Sequence, residues 1–538
     1  MAIWTARTAV AGIFFGTAWW VDPVAAKTTE IGPSDDLSAA IAALEPGDEL
    51  VLSGGEYSLQ SKLTISVSGT DRAPIVIRAK EGENAHITRP DAKQNTINIE
   101  SVEHLELRGL EVSGGSHGIR MRNASFVTIR DCDIHDTADV ALSANYSDSA
   151  YQGLHIVGNH IHDTGGTGEG MYLGCNSNAC QVFDSVIENN WIHHTNASDV
   201  TQGDGIEIKE GSYNNIVRHN VIHDTNYPCI LTYSTVGNGG PNVIEGNLMW
   251  GCGDHAIQSA ADAIIENNII LGAKQDGIAC QTHQQGSPSN LKLSHNTVIM
   301  ANNNAIDVND ISGTVVIVNN ALYANSGNAL RLTGDLGAVV VAGNVGSGAT
   351  QGVSEGFSDT GDLTTDFVAA SYSGAVPNDV FPTADSALTG WADTAHLSAH
   401  DFNGTSRTGR GDVGAYAFAA EGNLGWPLQA GFKEMVSEDP PGGGADGGDG
   451  ADAGGADGGA DAGGADGGAD AGGADSGQSS TRSDLSSGAD PAAGNGCSVS
   501  ARAPRRHEGF IAWLVVALVM CWSGRRILRS LNGTTDAA

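Results

Sequence analysis

Apolar residues recur along the middle of the chain in one short frame around an asparagine. Asn159, Asn190, Asn220, Asn247, Asn268, Asn296, Asn320 and Asn344 each follow an aliphatic residue by three positions, and in most a second apolar residue comes two positions later. Ile156 and Ile161 frame Asn159, Ile187 and Ile192 frame Asn190, and Ile265 and Ile270 frame Asn268. Cys132 takes the Asn place between Ile129 and Ile134, and Leu110 takes it between Leu107 and Val112. Short Val/Ile runs, separated by Asn/Gly turns and repeating at a variable period of twenty to thirty residues, predict stacked strands. The expected fold is all-β, a single-stranded right-handed parallel β-helix over residues 31–418. The amphipathic stretch Asp35–Glu45 should form a helix that caps its open N-terminal edge. Asp401–Thr405 and Asp412–Tyr416 are expected to pack back and close the last coil.

A coil read this way assigns its columns. Inward-turned asparagines one coil apart can form a carboxamide ladder at a spacing of about 4.8 Å, which is a scaffold role. Just after it come His135-Asp-Thr137, His162-Asp-Thr164, His193-His-Thr195 and His223-Asp-Thr225. A linear imidazole stack does not converge as a zinc site requires, so a turn stack with Asp and Thr on local backbone N–H groups is expected. On the next strand, period-two alternation turns Ile119, Met171, Ile206, Cys229, Ile257, Ile278 and Ile306 inward. Arg120, Arg122, Tyr172, Glu207, Lys209, Gln258 and Gln281 then share one outward face. Charged groups and an aromatic ring in one strip suit sugar binding, with Arg122, Tyr172, Gln258 and Gln281 as substrate contacts. The two loops beside the strip, 164–171 and 196–204, are lengthened, and the second holds Asp199 and Asp204.

Composition bounds the function. The 538 residues carry 73 glycines and only 6% aromatics, which suits a turn-rich coil. The formal charge is −36; residues 437–495 hold twelve acids and one base (−11), which leaves −25 elsewhere. That balance argues against nucleic-acid binding. Arg7, the apolar run 9–21 and Val24-Ala25-Ala26 predict a signal peptide over residues 1–26 and hence an exported protein. Export favours a disulfide between Cys175 and Cys180, whereas Cys229 and Cys280 read as core fillers. Residues 437–495 form a Gly/Ala/Asp-rich linker. Residues 496–538 hold Cys497, a short apolar helix at 510–522, and Arg525, Arg526 and Arg529.

Two resemblances sharpen these expectations. The tail, in the order Cys497, apolar run, Arg cluster, is similar to the C-terminal sorting signal of myxobacterial surface proteins, which implies anchoring at the cell surface or membrane through Cys497. The coil Gly205-Ile-Glu-Ile-Lys-Glu-Gly-Ser212, followed by Asn215–Asn220, resembles the corresponding coil of alginate and chondroitin lyases with a right-handed β-helix. The resemblance implies Ca²⁺ on Glu207, and Asp204 in the adjoining loop is the other candidate ligand. It also implies Lys209 as the base that removes the proton next to a uronate carboxylate; Glu207 and, from the outward strip, Arg120 are the other catalytic candidates. Gly205 stands where those enzymes have a second Glu, the coil 228–233 has no Arg or His at the assisting position, and the Asp-Pro-His motif of the related C5-epimerases is absent. The expected protein is a monomeric surface β-helix that binds or acts on an acidic polysaccharide. The alternative is a non-catalytic adhesive protein.

Overall fold

The computed structural model describes residues 26–434. The segments expected as signal peptide (apart from Ala26), linker and sorting tail with Cys497 lie outside the described residues. Among those described, no helix is long and apolar enough to cross a membrane.

The chain winds into a parallel β-solenoid of about 11 turns. Each coil contributes a strand to each of three sheets. The first sheet runs from Thr28–Ile31 and Glu49–Leu52 through Ile216–Arg218 to Val339–Ala342. The second passes through Asp133–Thr137, His160–Thr164, Trp191–Thr195 and Val221–Thr225. The third passes through Met171–Leu173, Ile206–Ile208, Ile230–Thr232 and Ile257–Ser259. All pairings in this stack are parallel and in register for most of its length, so a side chain on one coil lies about 4.8 Å from its equivalent on the next.

The asparagine ladder stands between the first and second sheets. The Nδ2 of Asn190 donates to Oδ1 of Asn220 at 2.9 Å and to the Ile156 carbonyl at 2.9 Å, and the Asn190 backbone N–H donates to the same Oδ1. The pattern repeats from Asn159 to Asn344. Every amide is therefore satisfied in a fully buried turn. The residue before each rung has a left-handed backbone: Asp131, Asn189, His219, Asn267, His295 and Asn319 have φ of 54° to 59°. The Asp of each His-Asp-Thr triplet is the next such bend, with φ of 51° to 53° at Asp136, Asp163 and Asp224.

The imidazole stack forms as expected, with ring centroids 5.0, 5.2 and 5.0 Å apart from His135 through His162 and His193 to His223. Its partners differ. The Asp carboxylates meet His Nδ1 at 2.7–2.8 Å, and the Thr hydroxyls donate to carbonyls rather than serving backbone N–H groups.

Three other features depart from expectation. The first strand, Thr28–Ile31, precedes the helix, which spans Leu37–Ala42 with Asp36 as its N-cap and Leu37 and Ile41 buried. Cys229 is not in the inward column. Ile206 N–H donates to the Cys229 carbonyl, so Cys229 shares the turn position of Gly205 and Ile230 takes the inward place. From that turn Cys229 bonds Cys252, while Cys175 bonds Cys180 as expected and Cys280 stays a buried thiol. Finally, the segment after residue 358 does not close the last coil but runs back along the second sheet. From Val221 onward the outward column there is apolar (Val221, Leu248, Ile269, Ala321, Val345), and Phe402, Val413, Tyr416 and Trp426 cover it. Burying that stripe drives the return.

Candidate functional site

The outward face of the third sheet carries two columns. One reads Arg120, Ser143, Tyr172, Glu207, Leu231, Gln258, Ala279 and Asp307. The other, two residues further along each strand, passes through Arg122, Lys209 and Gln281. Because Cys229 rather than Pro228 stands opposite Gly205, Tyr233 falls into this second column beside Lys209.

At the centre, Lys209 Nζ lies 2.5 Å from Glu207 Oε1 and 3.3 Å from the Tyr233 hydroxyl, and that hydroxyl donates to Glu207 Oε1 at 2.9 Å. The Lys209 ammonium also lies 4.8 Å from the Tyr172 ring centroid and 4.7 Å from that of Tyr233. Glu207 and Lys209 are 1% and 4% exposed.

Two further carboxylates come from the lengthened loops. These loops stack, with Thr201 N–H on the Gly166 carbonyl and Gln202 N–H on that of Thr167. Glu169 and Asp204 close them at the same place on successive coils, each followed by a glycine. Gly170 N–H donates to the Asp204 carbonyl. A Cβ at Gly170 would lie 2.7 Å from the Gly205 carbonyl oxygen, and one at Gly205 would lie 2.5 Å from that of Cys229. The close approach of coils therefore demands glycine at both positions. The carboxylates come from the residues just before the glycines. Oxygens of Glu169, Asp204 and Glu207 lie within 4.8 Å of one another.

This cluster is electrostatically incomplete. Both oxygens of Asp204, Oε1 of Glu169 and Oε2 of Glu207 are buried without a hydrogen-bond partner. Thr167 Oγ1 donates to Glu169 Oε2 at 2.6 Å. Burial, added to by the Glu207 charge, pushes the Glu169 carboxyl up to about 7 despite that bond. Burial and the charges of Glu207 and Glu169 hold Asp204 well above the usual carboxylate range. Burial likewise raises the Tyr233 and Tyr172 phenols, so both keep their protons at neutral pH.

The remaining residues expected in the strip are spread along it. Arg120 lies three coils before Glu207, about 14 Å away. Its Nε donates to Asn145 Oδ1 at 3.0 Å, and its guanidinium covers the Tyr146 ring at 4.1 Å, with that of Arg122 at 5.3 Å. Gln258 is buried two coils beyond Glu207, and Gln281 is half-buried one coil further. Glu169 and Tyr233 were not legible as site residues. The repeated acid–glycine pair, Glu169-Gly170 and Asp204-Gly205, was the available signal for Glu169. A hairpin at His283–Gly286 closes the site from above. His283 stacks on Tyr233 at 5.0 Å, and Gln285 N–H donates to buried Glu210 Oε1 at 3.0 Å.

Comparison with known proteins agrees with the fold. Residues 21–190 match the family described as Pel9A-like, right handed beta helix region, and residues 184–345 match the right handed beta helix region family. A pectate lyase, PEL9 of Emericella nidulans, is 30% identical over 107 residues, 17% of this chain and 26% of that protein. The alignment thus spans about a quarter of the relative's length. Among solved structures, XylC in complex with xylose superposes with a TM-score of 0.52 at 10% identity, over 73% of this chain and 99% of that one. Pectate lyase Pel9A gives 0.41 at 15% identity, over 73% and 96%. These structural likenesses speak for the fold alone. The described residues up to 345 thus form a right-handed β-helix, and its first part is similar to the Pel9A-like family region.

Proposed function

We propose that the Glu207 face binds an acidic polysaccharide outside the cytoplasm and cleaves it by β-elimination, with Ca²⁺ held by Glu169, Asp204 and Glu207. The observation that carries this reading is the set of four buried carboxylate oxygens without partners. Leaving them so costs several kcal/mol. One Lys209 ammonium cannot neutralise three carboxylates, whereas a hard divalent cation prefers such an oxygen set.

When bound there, Ca²⁺ would neutralise a uronate carboxylate and acidify the proton on the adjacent ring carbon. With the carboxylates so neutralised, Lys209 would release its own ammonium proton to solvent and, as the free amine on the same face, accept that proton. The Tyr233 hydroxyl, 3.3 Å from Nζ, is placed to protonate the leaving glycosidic oxygen, and burial keeps it protonated for that role. Tyr172 offers a ring for sugar stacking. Arg120 and Arg122 would bind carboxylates of sugars further along the chain, since Arg recognises them with two parallel hydrogen bonds. The pectate lyase relative supports a polyuronate as the first substrate to test. Signal-peptide export and a surface-sorting tail would place the site where such polymers occur.

The near-complete burial of the Glu207–Lys209 pair favours a second reading, a non-catalytic adhesive surface protein that binds glycans along the same strip. A panel of pectate, alginate and glycosaminoglycans with Ca²⁺, followed by absorbance of the unsaturated product, separates the two. Product from any member supports the lyase. Glycan binding with no product from any of them leaves the adhesive reading.

A further inference from the structure

On the second sheet, away from the carboxylate cluster, we infer a transition-metal site formed by Asp133, His160 and His162, of a kind that takes Zn²⁺. In the linear stack His162 has only other imidazoles above and below it. The convergence comes from the neighbouring column. Asp133 and His160 are register partners on adjacent coils, and His160 and His162 are two residues apart on one strand, so all three project from the same face. Asp133 Oδ1 lies 3.1 Å from His160 Nδ1 and 3.1 Å from His162 Nε2. Four ligands at 2.0–2.1 Å around zinc form a tetrahedron with edges of about 3.3 Å, so two edges already have nearly the required length.

The outer partners of both rings fit ligation. His162 Nδ1 meets Asp163 Oδ2 at 2.7 Å, which fixes its N–H there and leaves Nε2 to give its lone pair to a cation shared with Asp133. His160 Nε2 meets His193 Nε2 at 2.8 Å, and His193 Nδ1 meets His194 Nδ1 at 2.6 Å. With His160 donating to His193, and His193 to His194, the chain leaves His160 Nδ1 facing Asp133 as a lone pair. The ring planes are held as well. His162 stacks between His135 and His193, and Trp191 stacks on His160 at 4.2 Å. The backbone underneath is ladder-paired strand, which positions ligands better than loop does.

Two imidazoles and one carboxylate select a borderline transition ion over Ca²⁺, which takes six to eight oxygens. The site is reachable from solvent, because the Asp133, His160 and His162 side chains are 44%, 23% and 17% exposed. A fourth position is left for water. The site is independent of the lyase reading.

The test is calorimetric titration of the metal-stripped, full-length protein with Zn²⁺, with Co²⁺ as an optical probe. A Zn²⁺ that is bound by the wild type and lost in Asp133→Asn is expected, together with visible Co²⁺ bands of low-symmetry four-coordinate geometry. Asp133→Asn and His162→Ala should each weaken Zn²⁺ binding by 100-fold or more, and Asp163→Asn by about 10-fold. His155→Ala, on the first sheet, and Glu207→Gln should leave it unchanged. Circular dichroism confirms that each variant is folded, and Asp133→Asn, the smaller change, serves if His162→Ala is not. Absence of Zn²⁺ binding, or equal affinity in wild type, Asp133→Asn and His162→Ala, would overturn the assignment.

Discussion

Lys209 illustrates how much a single position depends on what its neighbours supply. Its ammonium is enclosed by Glu207, Tyr172 and Tyr233, and His283 stacks over Tyr233 from the hairpin above. Lys209 is only 4% exposed, so a polymer can reach Nζ only if its surroundings move, and the hairpin is the candidate. Replacing His283 with Ala removes the stacking partner and should open the pocket. Acetylation of Lys209 by an amine-selective reagent, followed by mass spectrometry, should then run several-fold faster than in the wild type. An unchanged rate would mean that the hairpin does not control access. The sequence made Glu207 and Lys209 visible because strand alternation projects both from one face. Tyr233 was hidden because Pro228 looks like the turn residue opposite Gly205 whereas Cys229 takes that place, and Glu169 by its place in a loop, where alternation assigns no direction.

The strands and turns were the most legible part of the chain, and the asparagine ladder explains why. Each rung needs an amide that accepts from two N–H groups and donates to a carbonyl and the next rung, and few residues fill that role. The bend before it needs a left-handed residue, which selects Asn, Asp, His or Gly. Local chemistry therefore prints the period into the sequence. Replacing Asn220 with Ala strands the backbone N–H and one of the two Nδ2 hydrogens of Asn190 in the core. Each unpaired buried group costs about 1–3 kcal/mol, so a loss of about 3 kcal/mol is expected from denaturant unfolding. A change below about 1 kcal/mol would show that the ladder is decoration. The return of residues 359–434 along the second sheet was less legible, because it depends on an apolar stripe assembled from five coils rather than on any local run.

Across the whole molecule, burial of titratable groups sets the response to pH. Burial, with the Lys433 ammonium nearby, pushes His219 down to about 3, and burial with the Arg120 charge pushes His117 down to about 4. The unfolded chain takes up these protons near 6.5 while the folded chain refuses them, so stability falls as pH drops from about 6.5 towards 3. Each histidine contributes at most about 1.4 kcal/mol per pH unit in that window. Thermal melting of His219→Gln should therefore show a shallower acid slope than the wild type, and equal slopes would remove His219 from the account. The central claim concerns the chemistry on the third sheet, and Lys209→Ala tests it most directly. With polygalacturonate and Ca²⁺, the wild type should release unsaturated product, and the variant should lose at least 1,000-fold in kcat, at the level of losing an essential proton acceptor, while still binding the polymer. An undiminished rate in Lys209→Ala, or no product from the wild type on any polyuronate, would contradict it.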